Sequence, residues 1–214
     1  MIRFLLVLGL SVLIGCSSPA RVAQGDSPAY ASAYPTDARV VGDHDLDALA
    51  SAPLRTAVRV HFDHPPEHAF RYLLTEVDLY DDSIVEVTFD HSGSETPGEF
   101  GVGSVRTCVF ENGKALVEPI VVYQPYAYYA YTVDPERSTF SVPVRDVLLF
   151  YQFEGRPSAD GRPDGSALVT VRAHYTPSVG VASPVIRGVF NRTIAKTFAT
   201  AADRFSGRLI DTAR

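Results

Sequence analysis

The sequence predicts an α+β fold in which one curved antiparallel sheet of about seven strands wraps around a long C-terminal helix. Three observations support this prediction. From Thr56 to about Pro177, short segments of alternating apolar and polar residues follow one another across short turns, which is typical of antiparallel strands. Only one short helix, over HPPEHAFRYLLTEV, interrupts them. Finally, Ser183-Pro184 is a favourable helix start, and the apolar stripe behind it predicts a helix to about Arg208.

Seven segments account for the strands of this sheet. In chain order they are TAVRVHF, SIVEVTFD, GVGSVRTCVF, ALVEPIVVY, YAYYAYTV, DVLLFYQFEG and SALVTVRAHYTP. Asn112-Gly113, between the third and fourth segments, is typical of a tight hairpin turn. Residues 147–153 are apolar on both faces, so alternation does not fix which side chains point inward. In the last segment Arg172 and His174 alternate with the apolar residues, and we expect them to be exposed.

The two helices have different predicted tasks. The short one follows the first strand, and prolines are tolerated in its first turn. A sheet of this length must bury one face against another layer, and only the C-terminal helix is long enough to cover it. The residues of its apolar stripe are Ile186, Phe190, Ile194, Phe198, Ala201, Phe205 and Leu209.

The chain begins with a largely apolar stretch of 13 residues, Phe4 to Cys16. A helix that spans a bilayer needs about 20 apolar residues, whereas a secretory signal peptide has a basic start and a shorter apolar stretch. Arg3 precedes the stretch, and the tetrapeptide LIGC at its end resembles the bacterial lipobox. This resemblance implies that residues 1–15 are a signal peptide and that the Cys16 thiol carries a diacylglyceryl group. An ordinary signal peptide with a coincidental cysteine is the alternative.

Two further regions follow the signal peptide. Residues 16–50 are rich in Ser, Pro, Ala, Asp and Gly without an apolar period, which predicts a flexible tether. The lipobox resemblance implies that this tether is lipidated at Cys16. Residues 51–214 are predicted to form one domain. With Cys16 acylated, Cys108 has no cysteine left in the chain to pair with. Since Cys108 lies in an alternating apolar stretch, we expect a buried and unreactive thiol.

The charge of the chain limits its partners. The formal net charge is −6, which argues against nucleic acid, where a basic surface is expected, and against electrostatic docking on anionic lipid. The acyl chains on Cys16 must therefore provide the anchor, and stable attachment needs two such chains. The lipobox resemblance implies an extracytoplasmic protein of the cell envelope. Because Ser17 rather than aspartate follows the cysteine, the sorting rule of such lipoproteins implies the outer membrane if the host has one.

The order of elements and several motifs resemble the START-like superfamily, also called SRPBCC, which includes START lipid-transfer domains, plant pollen allergens and polyketide cyclase/dehydrase proteins. The resemblance covers about Thr56 to Ile210. It rests on HPPEHAFRYL after the first strand, the glycine-rich GVGSVR, the stretch ALVEPIVVYQPYAYYAYTV and the closing helix. It implies the helix-grip fold, with a seven-stranded sheet gripping the terminal helix and a cavity between them for lipids, polyketides or other small apolar molecules.

The resemblance also implies a charge pair, because in related folds a basic residue after the glycines and an acid on the next strand both point inward. These residues are Arg106 and Glu118. Burying one charge alone is costly, so each requires the other. The pair either anchors a polar group of the ligand, forms a structural salt bridge, or lies on the surface. Tyr129 and Tyr131 share a strand face and suit a mixed pocket, although aromatic residues are also favoured in strands for their propensity alone. The residues that we expect to line the cavity are Arg106, Cys108, Phe110, Glu118, Ile120, Tyr129, Tyr131, Val171, Phe190, Ile194 and Phe198.

We expect neither a metal nor a cofactor. His64 and His68 are four residues apart, but Pro65 disfavours helical geometry at His64. No nucleophile elbow or phosphate-binding loop occurs in the sequence, so no catalytic residue is assigned. The sequence favours a monomeric, lipid-anchored binding protein whose partners are a hydrophobic small molecule or lipid and the membrane that holds its acyl chains. A polyketide cyclase or dehydratase that uses the same cavity, and a structural or adaptor lipoprotein without an open pocket, are the alternatives.

Overall fold

The computed structural model describes residues 40–41, 44–45, 52–157, 163–178, 180 and 182–213. The predicted signal peptide, Cys16 and most of the predicted tether lie outside these residues. Strands β1 (Val40–Val41) and β2 (His44–Asp45) pair with each other. Within the described ranges, no helix combines the length and the apolarity needed to cross a membrane.

A curved sheet of eight antiparallel strands forms the body of the molecule. The strands are β3 (Leu54–Phe62), β4 (Ile84–Asp90), β5 (Val105–Phe110), β6 (Ala115–Gln124), β7 (Tyr128–Thr132), β8 (Val144–Pro157), β9 (Pro163–Pro177) and β10 (Gly207–Ala213). Their spatial order is β10-β3-β9-β8-β7-β6-β5-β4. The predicted α+β class with one antiparallel sheet is therefore confirmed.

The helices lie where the sequence predicts them. Helix α1 spans Pro66–Thr75, begins with proline in its first turn and buries one face made of Ala69, Phe70, Leu73 and Leu74. A 3₁₀ helix, Val77–Leu79, follows it. Helix α2 spans Ser183–Arg204 and packs on β3, β9 and β10.

The eighth strand was not predicted, because its residues continue the apolar stripe of α2 in sequence. The helix ends at Arg204 rather than about Arg208, and Ser206 adopts a φ of 52° that reverses the chain. Strand β10 then pairs with β3. This return requires Gly207, where a Cβ atom would lie 2.5 Å from the carbonyl oxygen of His61. Leu209 therefore lies on a strand and not on the helix.

Apolar side chains pack on both faces of the sheet. The larger cluster lies between the sheet and the helices and contains Leu149, Tyr151 and Phe153 of β8. The smaller cluster contains Leu148 and Phe150, on the opposite face. This two-sided burial explains why β8 is apolar on both faces.

The expectation that Arg172 and His174 are exposed was wrong, since each is only 7 % exposed. Both lie on the face of the sheet that carries the smaller cluster. Arg172 Nη1 donates to Gln152 Oε1 at 3.0 Å, and its guanidinium carbon lies 5.9 Å from the Phe150 ring centroid. His174 Nδ1 lies 3.1 Å from the carbonyl oxygen of Ala52. Alternation identified the correct face, but that face is buried at these positions.

Candidate functional site

A cavity of about 490 Å³ lies between the sheet, the 3₁₀ helix and α2. This volume is within the range of pockets that hold small molecules, about 300–1,000 Å³. Its walls are largely apolar and aromatic, and the buried polar side chains that the sheet contributes come from β5, β6, β7 and β8. The apolar wall residues are Val77, Ile84, Phe110, Leu116, Phe140, Val142, Leu149, Phe190, Ile194 and Phe198.

Strand geometry directs the innermost polar side chains toward the cavity. Arg106 and Cys108 are two residues apart on β5, so both point to the same face. Glu118 is the direct cross-strand neighbour of Arg106 on β6. Tyr131 on β7 and Tyr151 on β8 complete this group, which we call the cavity floor: Arg106, Cys108, Glu118, Tyr131 and Tyr151.

Arg106 is held on three sides. Its Nε donates to Glu118 Oε2 at 2.7 Å, and its Nη1 donates to the carbonyl oxygen of Leu74 at 3.0 Å. Its guanidinium carbon lies 4.5 Å from the centroid of the Tyr131 ring, within the range of a cation–π contact. Burial by itself would lower the pKa of Arg106, but the Glu118 carboxylate opposes this and the net pKa is raised well above its ordinary value.

The floor is attached to the C-terminal end of α1. The last four carbonyl groups of a helix lack partners within the helix. Two consecutive carbonyls near the end of α1 are satisfied by cavity residues: Leu74 accepts from Arg106, and Leu73 accepts from the Tyr80 hydroxyl at 2.9 Å. The end of a helix also carries partial negative charge, which favours the guanidinium there. Helix α1 thus fixes the position of Arg106 independently of Glu118.

The thiol and phenol groups of the cavity stay protonated. Burial raises the pKa of Cys108 to about 12, and the nearby Glu118 charge acts in the same direction. Burial likewise raises the pKa of Tyr151 to about 12, and those of Tyr80 and Tyr131 well above their usual value. The Cys108 thiol donates to Glu118 Oε2 at 3.5 Å. At neutral pH these groups are hydrogen-bond donors rather than anions, and Cys108 is not a thiolate nucleophile.

The entrance of the cavity is polar. Ser83, Glu111, Asn112 and Thr193 line it and are exposed, and Asp81 is half-buried beside them. The Asp81 carboxylate accepts from the backbone N–H and the hydroxyl of Ser83, at 3.1 and 2.6 Å. The charged residues of this entrance, Asp81 and Glu111, are both acidic.

A second cavity of about 360 Å³ lies on the other side of the segment between β7 and β8. Phe140 and Val142 from this segment line both cavities. The Phe140 ring stacks on Phe110, with centroids 3.9 Å apart and planes 14° apart. Backbone N–H groups of Ala115 and Val117 donate to Thr139 Oγ1 and Ser138 Oγ, each at 2.9 Å. The segment is thus fastened to β6 and separates the two cavities.

The structure brings together eight of the eleven side chains that the sequence assigns to the cavity. These are Arg106, Cys108, Phe110, Glu118, Tyr131, Phe190, Ile194 and Phe198. Three others lie elsewhere: Ile120, Tyr129 and Val171 are fully buried members of the main core and do not line the cavity. Tyr129 instead packs against Phe70 of α1, with ring centroids 5.2 Å apart.

Sequence reasoning missed Tyr80, Leu149 and Tyr151. The two residues of β8 were missed because that strand is apolar on both faces. Tyr80 follows the 3₁₀ helix, where no periodic pattern applies. His64 and His68 have ring centroids 6.1 Å apart. Among the described residues, no group of three or more His, Cys, Asp or Glu side chains is placed to share a metal ion.

Comparisons with known proteins give a likeness of fold. No protein-family description and no curated protein matches the sequence. Among solved structures, XoxI from Bacillus cereus is 16% identical over 70% of this chain and 94% of its own, with a TM-score of 0.52. Ara h 8.0201 is 15% identical over 72% of this chain and 99% of its own, with a TM-score of 0.49. A protein from Nitrosospira multiformis is 16% identical over 70% and 94%, with a TM-score of 0.44.

The comparison with XoxI shows that the two chains share a fold. A sheet that curves around a long C-terminal helix, with a short helix after the first strand of that sheet, is the helix-grip arrangement that the sequence predicts. Fold alone does not assign a function, so the function has to be argued from the cavity.

Proposed function

We propose that this protein is a lipid-anchored, extracytoplasmic binding protein that holds a small hydrophobic molecule in the 490 Å³ cavity. The observation that carries the proposal is the cavity itself, with apolar walls and a buried charge pair at its floor. Pockets that hold small molecules commonly combine a largely apolar lining with a few polar groups that orient the ligand. Arg106 and Glu118 supply these groups here.

The chemistry of the floor favours binding over catalysis. General acid–base catalysis needs a group whose pKa lies near the working pH. The thiol and phenols of the cavity are far from that condition, because burial raises their pKa values. The Glu118 carboxylate already accepts from Arg106 and Cys108, and no histidine is among the described residues that line the cavity. The open cavity also argues against a purely structural lipoprotein.

The binding proposal is tested by identifying molecules that co-purify with the chain. The protein should carry Cys16→Ser, so that no attached lipid is mistaken for a ligand. Thr197 lines the cavity from α2, and its neighbour Lys196 is exposed and does not line it. Mass spectrometry should detect a retained small molecule in the parent and in Lys196→Trp, and lose it in Thr197→Trp, where the indole fills the cavity. Equal retention in the two tryptophan variants, or none in the parent, would contradict the proposal.

The anchoring proposal rests on the lipobox-like LIGC at the start of the chain. Two acyl chains on Cys16 would suffice for stable attachment, since each buried methylene contributes about 0.8 kcal/mol. In the native host, labelled palmitate should enter the wild-type protein and not Cys16→Ser. Wild-type protein that stays unlabelled and leaves the membrane on washing would contradict the anchor without affecting the cavity.

A further inference from the structure

We propose that the cavity selects an uncharged molecule that carries a hydrogen-bond acceptor, such as a ketone or ester carbonyl, and rejects the corresponding carboxylate. This inference rests on the proposed function, because it assumes that a small molecule binds in the cavity. It adds the chemical class of that molecule. The argument comes from the charges that line the cavity and from the hydrogen bonds that its floor has already made.

Among the described residues that line the cavity, the one positively charged side chain, Arg106, is already neutralised. Among the described lining residues, the charged side chains are Arg106, Glu118, Asp81 and Glu111. Arg106 and Glu118 contact each other at 2.7 Å and are only 2 % and 4 % exposed. The two remaining charges are carboxylates at the entrance. The lining is therefore neutral at its floor and negative at its mouth.

This distribution of charge disfavours the binding of a carboxylate ligand. An anion loses its hydration when it enters an apolar cavity, and hydrogen bonds from neutral donors recover less of that cost than an unpaired positive charge would. Here Glu118 occupies the Nε side of Arg106, and Asp81 and Glu111 add repulsion along the entry path. The same desolvation cost acts against a cationic ligand, because Glu118 is already paired.

The cavity favours an uncharged hydrogen-bond acceptor, because the cavity floor has N–H and O–H donors that the protein itself does not use. A guanidinium has five N–H groups, and Glu118 and Leu74 account for one each on Arg106. The Tyr131 and Tyr151 hydroxyl oxygens lie 3.3 Å apart, so one donates to the other and the second keeps its own proton for a ligand. A carbonyl oxygen can accept from such donors without carrying a charge into the cavity.

A series of ligands with matched chain length tests this selection. The Cys16→Ser chain is loaded with an uncharged fluorescent naphthalene ketone, which is displaced by 2-undecanone, methyl decanoate, decanoate or decylamine at about pH 7.5. We expect the ketone and the ester to displace the dye at concentrations about tenfold lower, or more, than decanoate and decylamine. As the pH is lowered to about 5, decanoate should gain affinity because its carboxyl group begins to take up a proton, while the ketone should not change.

Two variants link the selection to its cause. Glu118→Gln leaves the Arg106 charge unpaired, so decanoate should gain about tenfold or more relative to the ketone. If this variant does not fold, the surface variant Asp81→Asn/Glu111→Gln should still give a smaller gain for decanoate, because only the entrance changes. Decanoate or decylamine that binds as tightly as the ketone in the parent would overturn the selection and leave the binding function standing. Failure of the dye and of all four ligands to bind would overturn both.

Discussion

Arg106 and Glu118 face each other directly across β5 and β6, and their side chains meet at 2.7 Å beside a cavity of about 490 Å³. Both are almost fully buried, so each charge depends mainly on protein partners for compensation. The helix-end carbonyl of Leu74 gives Arg106 a second partner, at 3.0 Å, whereas Glu118 has the Cys108 thiol at 3.5 Å as its second donor. The pair is therefore asymmetric, and the loss of Arg106 leaves Glu118 more poorly satisfied than the reverse.

The first prediction concerns the coupling energy of this pair. Removing one partner of a buried ion pair costs about 3–5 kcal/mol, because the other charge is left without compensation, while replacing both by apolar residues can be nearly neutral. Glu118→Leu alone should therefore lower the free energy of unfolding more than Arg106→Met/Glu118→Leu. Urea unfolding of the parent, the two single variants and the double variant measures the coupling. A coupling of only about 0.2–1 kcal/mol, as for exposed pairs, would contradict the buried contact.

The second prediction concerns stability at high pH. Free thiols and phenols lose their protons at about pH 8.5–10, but burial raises the pKa values of Cys108 and Tyr151 to about 12. Between these limits the folded protein holds protons that the unfolded chain has lost, so the free energy of unfolding falls as the pH rises. The stabilisation is complete below about pH 8.5 and is lost progressively toward about pH 12.

Urea midpoints measured from neutral to alkaline pH test this decline. Tyr151→Phe should make the decline shallower, since it removes one of the groups with a raised pKa. Tyr126 is 50 % exposed, and Tyr126→Phe is the matched control, which should leave the slope unchanged. A slope that is the same in the parent and in Tyr151→Phe would show that this phenol does not contribute.

The alternation of apolar and polar residues predicted most of the fold, because seven successive strands joined by short turns can form few sheets other than an antiparallel one. This pattern failed at β10. Phe205 and Leu209 are four residues apart, so they continue the helical spacing of the apolar residues in α2. What separates the two possibilities is Gly207, which lets β10 approach β3, and no periodic pattern reports such a contact. The C-terminal strand can therefore be predicted only from the position of β3, with which it pairs.

The alternation of apolar and polar residues predicted the cavity lining less completely, because here too the outcome depends on tertiary contacts. It shows that Tyr129 and Tyr131 share a face, but not what packs against that face. Helix α1 fills one half of the concave side, where Phe70 packs on Tyr129 and on Phe153, with centroids 5.2 and 5.0 Å away. Tyr131 lies on the unfilled half and lines the cavity. The boundary depends on the position of α1, which is a tertiary property.

The third prediction concerns the glycine-rich entry to β5. Gly103 has a φ of +89°, and a Cβ atom there would overlap the carbonyl oxygen of Gly93. Gly113 in the hairpin turn also has a positive φ, +73°, but its Cβ would meet nothing within 4 Å. Gly113→Ala should cost about 1–2 kcal/mol, the strain of a left-handed residue. Gly103→Ala should cost about 3 kcal/mol or more, because the backbone must also move. Urea unfolding of both variants compares them, and equal losses would contradict the close approach of Gly93.

The last prediction concerns the stacked pair Tyr129 and Tyr151, whose ring centroids lie 4.4 Å apart. The Tyr151 hydroxyl has the Tyr131 hydroxyl at 3.3 Å, while the buried Tyr129 hydroxyl has no hydrogen-bond partner among the described residues. A buried polar group without a partner costs about 1–3 kcal/mol. Tyr129→Phe keeps the ring and removes that cost, so it should leave the free energy of unfolding unchanged or raise it by about 1 kcal/mol. Tyr151→Phe removes a partnered hydroxyl and should lower it by about 1 kcal/mol. Urea unfolding at neutral pH measures both, and a loss in Tyr129→Phe as large as that in Tyr151→Phe would show that the Tyr129 hydroxyl has a partner, such as a buried water.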